Sequence, residues 1–144
     1  VITLFPWIAT IDKFQHWVYE NPNHTIEERA NQWLNIQQEF SSTAIDFTGL
    51  DEYRRFGWQR QLHLFEVPFY YIEYGIAQLG AIALWKNYKS NPKETIIKYK
   101  QALSLGYTRT IGEIYAAAGV KFDFSASYIH ELSQFVQSEI KMLQ

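Results

Sequence analysis

Apolar residues recur along this chain every three or four positions, and that period predicts helices from end to end. Between about Thr3 and Tyr19 the stripe is Trp7, Ile11, Phe14, Trp17 and Val18. The polar run Asn21–His24 ends that helix. Thr25 and Glu28 then have the spacing of a capping box, in which hydroxyl and carboxylate satisfy the free backbone donors of a new helix. This second helix runs to about Ser42, with Ala30, Trp33, Leu34 and Phe40 on one side. A turn over Asp46–Asp51 leads to a third helix near Glu52 to Leu64, which ends before Pro68.

The stretch from Pro68 to Tyr88 is apolar or aromatic on nearly every side, which predicts a helix surrounded by protein, with the proline in its first turn. Gly75, Ala77, Gly80 and Ala81 leave room there for close neighbours. Asn91 followed by Pro92 restarts the chain as a capped helix that Gly106 ends, with Glu94 and Lys98 one turn apart. A short helix over Thr110–Ala118 closes at Gly119. A last one, capped by Ser125, has Ile129, Leu132, Val136, Ile140 and Leu143 as its expected buried stripe. No strand pattern, repeat or low-complexity linker appears. The expected fold class is all-α, a single multi-helix domain of six to seven helices over residues 1–144.

Composition narrows the function. The 144 residues are 47% apolar and carry 5 Trp, 10 Tyr and 10 Phe, enough for a large packed core. Net charge is −2 with no basic run, which argues against a nucleic-acid partner. Cysteine is absent, so disulfides and thiolate metal sites are excluded and a reducing, cytoplasmic setting is expected. No apolar stretch approaches the roughly 18 residues of a membrane span, and no signal pattern opens the chain. It begins Val1-Ile-Thr-Leu-Phe without an initiator methionine, and the expectation is a piece excised from a longer protein.

Two constellations bear on chemistry. Of the four histidines, His16, His24, His63 and His130, only His130 is followed by glutamate, in His-Glu-Leu-Ser-Gln. A zinc peptidase helix needs a second histidine at the fifth position, where Gln134 stands, so no metal is expected in this chain. On an uninterrupted helix, Tyr70, Tyr71, Tyr74 and Gln78 would share about 100° of arc, with His63 just upstream. Phenols and an imidazole together can donate several hydrogen bonds to one carbonyl oxygen or oxyanion. On spacing alone the better reading is four polar-tipped side chains packed in a wet core and bonded to backbone carbonyls.

The run from His63 to Gly75, His-Leu-Phe-Glu-Val-Pro-Phe-Tyr-Tyr-Ile-Glu-Tyr-Gly, is similar to a stretch of the oligoendopeptidase F-type zinc peptidases that reads about H-F-Y-x-x-P-F-Y-x-Y-x-Y-A. The likeness extends more loosely to the aromatic first helix, to Asp51-Glu-Tyr-Arg-Arg-Phe-Gly-Trp58 and to Phe122-Asp-Phe-Ser125. It therefore covers essentially the whole chain, but only the C-terminal part of such an enzyme. Ile72, Glu73 and Gly75 depart from the family pattern. The resemblance implies an almost wholly helical zinc endopeptidase of oligopeptides whose metal ligands lie upstream of this region. It also implies that His63, Tyr71 and Tyr74, with Tyr70 beside them, face substrate and oxyanion. Zinc is then expected in the full-length protein and not in this chain.

Two readings follow. In one, the chain is the substrate-binding, oxyanion-stabilising portion of a peptidase, inactive alone, whose partners are an oligopeptide and the remainder of the enzyme. In the other it is a helical interaction module with no catalytic history. On the first reading, Leu4, Phe5, Trp7 and Ile8 and part of the tyrosine-rich helix are uncovered when the chain stands alone, and a homodimer is expected.

Overall fold

A computed structural model describes residues 2–143. Among them are eight α-helices, one 3-10 turn and no strand, so the fold is all-α. Two compact units divide at Gly75/Ile76.

The first unit is built on a helical hairpin, α1 (Leu4–Glu20) and α2 (Ile26–Phe40). The expected capping box is present: Glu28 N–H donates to Thr25 Oγ1 at 3.2 Å, and Thr25 N–H donates to Glu28 at 2.8 Å. Ile11, Phe14, Trp33 and Ile36 form the core, surrounded by half-buried Trp7, Trp17, Val18, Phe40, Trp58, Leu64 and Tyr71. Trp33 is fully buried, and its indole N–H donates to Arg54 O at 2.9 Å. That bond satisfies the one polar atom of the largest core side chain. The stripe of α2 is Ala30, Trp33 and Ile36, so Ile36 takes the buried place expected for Leu34, which is half-buried.

The helix expected over residues 52–64 is broken into α3 (Asp51–Arg54), the 3-10 turn Gly57–Arg60 and α4 (His63–Glu66). The break accommodates the large rings of the core. A Cβ on Gly57 would lie 3.4 Å from Trp33 Nε1, and Trp58 packs on Phe14 with ring centres 5.7 Å apart.

Helix α5 runs Ile72–Ser90 and does not start at Pro68. Phe69, one residue later, has φ 60, in the left-handed region, and that turns the chain out of any helix begun at the proline. The helix is also more open than expected. Ile82 and Ala83 are buried, whereas Tyr74, Trp85 and Tyr88 are exposed.

In the second unit α5 continues, followed by α6 (Pro92–Ser104), α7 (Ile111–Ala117) and α8 (Ala126–Lys141). Every start is a side-chain cap: Asn91 receives Glu94 N–H and Ser125 receives Tyr128 N–H, both expected from sequence, and Thr110, expected only as the start of a helix, receives Glu113 N–H. Gly106 and Gly119, at φ 52 and 73, follow α6 and α7. The buried stripe of α8 is Tyr128, Leu132 and Val136, while Ile129, Ile140 and Leu143 are exposed. The expected stripe was therefore wrong at three of its five positions. Tyr128 takes the inner place, and Trp85 meets Phe135 edge-on with ring centres 4.8 Å apart. No helix among the described residues is long and apolar enough to cross a membrane.

Candidate functional site

The site is assembled by the irregular segment that separates α4 from α5. His63 is the first residue of α4, separated from the 3-10 turn by Gln61 and Leu62. Beyond α4 the chain makes successive tight turns, with Tyr70 N–H donating to Val67 O at 3.1 Å and Glu73 N–H to Tyr70 O at 3.0 Å. Tyr70 and Tyr71 thus precede α5, and only Tyr74 stands on it. The shared helical arc expected for these tyrosines does not exist, and Gln78, the fourth member of that arc, falls in the second unit.

The rings converge all the same. The His63 imidazole meets Tyr71 edge-on at 4.9 Å between centres, Tyr74 edge-on at 5.8 Å, and lies parallel to Tyr70 at 6.5 Å. Tyr74 is also edge-on to Tyr70 and to Tyr71, at 5.8 and 5.2 Å. Exposure grades the three phenols. Tyr70 and Tyr74 are 48% and 40% exposed, whereas Tyr71 is half-buried against the aromatic core.

Hydrogen bonds fix the imidazole. The Gln61 side-chain nitrogen lies 2.9 Å from His63 Nδ1, and His63 Nε2 lies 3.3 Å from Tyr74 Oη. An amide N–H can only donate, so Nδ1 accepts and the ring proton of the neutral histidine sits on Nε2. Nε2–H then donates to Tyr74 Oη, and the Tyr74 hydroxyl proton is free for an external acceptor. Gln61 was not singled out from sequence; its only signal is an amide two residues before the histidine. Gln15 was missed as well. Its Oε1 accepts from Phe69 N–H at 2.8 Å, across 54 positions of chain.

The remaining histidines serve other ends. His16 lies 3.6 Å from Asp12 and stacks near Phe69. His24 Nε2 accepts from Arg29 Nε at 2.6 Å. His130 is exposed, and its neighbour Glu131 is paired with Lys86, which holds the Glu131 carboxyl below its ordinary value. No group of three His, Asp or Glu side chains among the described residues is placed to hold a metal ion.

A model of peptidase family M3 matches residues 3–134. The chain belongs to peptidase family M3. The M3 match spans the His63–Tyr74 cluster and every helix through α7. Two solved structures are similar to this M3 chain. One, assigned as an oligoendopeptidase F, is 31% identical over 96% of this chain with a TM-score of 0.84. The other, PZ peptidase A with a bound inhibitor, is 34% identical over 92% of it with a TM-score of 0.76. The chain spans 24% of the length of each. No curated protein sequence matches it. The family match removes the reading of an interaction module without catalytic ancestry.

Proposed function

We propose that this chain is the portion of a zinc-dependent oligoendopeptidase that holds the oligopeptide backbone and stabilises the oxyanion. His63, Tyr71 and Tyr74 are its donors and Tyr70 an additional substrate contact. The observation that carries the proposal is the convergence of one imidazole and three phenols, two of them open to solvent, in a chain of peptidase family M3. The zinc of the full-length protein is assigned in this proposal to its remaining residues, a reading supported by the lack of any group of three His, Asp or Glu side chains placed to hold a metal ion among the described residues. The remainder of the peptidase and an oligopeptide are the proposed partners. A cytoplasmic location belongs to the same proposal, motivated by a chain without cysteine.

The chemistry of these residues follows from the His63–Tyr74 bond. When water adds to a peptide carbonyl, its oxygen becomes an anion. A neutral phenol aimed at that oxygen is worth more in the transition state than in the ground state, which is the requirement for lowering the barrier. Tyr74 is the best placed: its oxygen accepts from His63 Nε2–H, and that bond polarises the hydroxyl and leaves its proton available. Tyr71, tied to the core, packs edge-on against the imidazole beside Tyr74 and helps hold its orientation.

The test is turnover by the full-length peptidase. Tyr74→Phe is expected to lower kcat by a factor of about 100 to 1,000, with a smaller change in KM. Wild-type turnover in both the Tyr71→Phe and Tyr74→Phe enzymes overturns the proposal.

A further inference from the structure

Gln15 lies on the face of α1 that also carries Ile8 and Ile11, and only 3% of its surface is exposed. A methionine could fill that place without a buried polar group. The carboxamide there is only half satisfied, because its Nε2 has no protein partner. What its oxygen does is hold the Phe69 N–H at 2.8 Å. Phe69 has φ 60, a conformation that a bulky side chain avoids unless its surroundings impose it. Its ring packs on His16 and Tyr19, with centres 5.0 Å from each. Phe69 is thus pinned to α1 by its backbone and by its ring, and the next two residues, Tyr70 and Tyr71, leave the turn with their rings beside His63.

We propose that Gln15 is a positioning residue for the peptidase reaction: through its bond to Phe69 N–H it holds the left-handed turn that sets Tyr70, Tyr71 and Tyr74 around His63. It touches no substrate, and the inference rests on the reading of that cluster as substrate-facing. Without the bond the turn relaxes toward ordinary φ, and the phenols lose the register that places three rings against one imidazole.

The experiment uses the full-length peptidase and an oligopeptide substrate. Gln15→Met fills the volume and removes the acceptor. It is expected to lower kcat by about ten- to a hundredfold, the scale of a misplacement on the order of 1 Å, with KM changed much less. Phe69→Gly removes the conformational penalty of the turn, so the turn no longer needs Gln15. In the Gln15→Met/Phe69→Gly enzyme, kcat is expected to return to that of Phe69→Gly alone. A role confined to packing predicts a lower Tm in Gln15→Met and no such rescue. Wild-type kcat in Gln15→Met, or a loss that Phe69→Gly leaves unrestored, overturns the proposal. If Gln15→Met does not fold, Gln15→Asn, one methylene too short to reach Phe69, is read in the same way. Tyr74→Phe run in parallel separates the two claims. Loss of turnover there with wild-type Gln15→Met removes only the positioning role. Wild-type turnover in both Tyr71→Phe and Tyr74→Phe removes the functional reading, and this inference with it.

Discussion

The two units organise their chains by different means. In the second, the starts of α6, α7 and α8 are set by the residue next door: Asn91, Thr110 and Ser125 each receive a backbone N–H three positions on. In the first, the segment between α3 and α5 is set from a distance. Trp33 holds Arg54 O and Gln15 holds Phe69 N–H, bonds that reach back 21 and 54 positions. The candidate chemistry sits in the segment held from a distance. The lesson is physical: a cap fixes where a helix begins, whereas several side chains brought to one point need backbone that departs from helix and is held there by tertiary contacts.

The second unit has a contrasting hollow. An open, almost wholly apolar cavity of about 280 Å³ lies among Ala77, Gly80, Ala81, Leu84, Ala102, Leu103 and Tyr115. Small residues leave that space, and they also let Tyr115 approach. A Cβ on Gly80 would lie 2.7 Å from the Tyr115 hydroxyl, which donates to Ile76 O at 3.2 Å.

The comparison can be broken first by activity. Tyr74→Phe is expected to cost about 100- to 1,000-fold in kcat of the full-length peptidase. Tyr115→Phe, which removes a structural hydroxyl of the second unit, is expected to leave kcat near wild type and lower Tm. Equal kcat losses in the two variants would erase the functional distinction between the units. Next in size is the aromatic core of the first unit. Trp33→Ala removes a fully buried ring and leaves Arg54 O without its donor, a loss of about 3–5 kcal/mol in chemical denaturation. Gly80→Ala is smaller, about 1–3 kcal/mol, because Tyr115 must shift to admit the methyl group. A neutral outcome there would show that the second unit yields where the first does not.

The smallest effect tests what the units share. Each has one capping box, Thr25/Glu28 and Thr110/Glu113. Thr25→Ala and Thr110→Ala are each expected to cost about 1 kcal/mol. In both boxes the threonine N–H and hydroxyl hold the glutamate carboxyl below its ordinary value. A carboxyl lowered in the folded state stabilises the fold above the unfolded-chain value, and that contribution is lost as pH falls through the folded value. Acid titration followed by circular dichroism should therefore show helix loss below the ordinary glutamate range, reduced in both threonine variants.

The same division decided what could be read from sequence. Thr25, Asn91 and Ser125 were legible as caps because cap and helix are neighbours in the chain, and the Thr110 cap had the same local signal but was passed over. The all-α class was legible from the period. The break of residues 51–66 into three short pieces and the turn at Phe69 were not, because Trp33 and Gln15 impose them from elsewhere in the chain. The motif grouped His63 with Tyr70, Tyr71 and Tyr74, whose rings do lie together, although the arc used to group them was wrong. Gln15 carried a signal that went unused: it sits one turn beyond Ile11 and two beyond Ile8, a polar residue on an apolar stripe. On α8, apolar residues on two faces made the stripe ambiguous, and packing of Tyr128 chose between them. Of the N-terminal residues expected to lie uncovered, Ile8 is 2% exposed and Leu4, Phe5 and Trp7 are half-buried. Self-association of the isolated chain is thus proposed to rest on the other part of that expectation, the exposed Tyr74, Trp85 and Tyr88 of the tyrosine-rich helix, and light scattering across a tenfold concentration range tests it.

The Gln15–Phe69 bond also bears on the order of events as the chain folds. Closing a loop of 54 positions costs chain entropy that a three-residue cap does not. Helices α6, α7 and α8 can therefore nucleate as soon as their own residues are free to meet, while the turn before α5 must wait for α1 to find it. The cluster around His63 is then among the late-ordering parts of the molecule. The tyrosine register around His63 is therefore expected to be lost before the helices when the chain partly unfolds, so helix content alone is expected to be a poor measure of how far the proposed site is assembled.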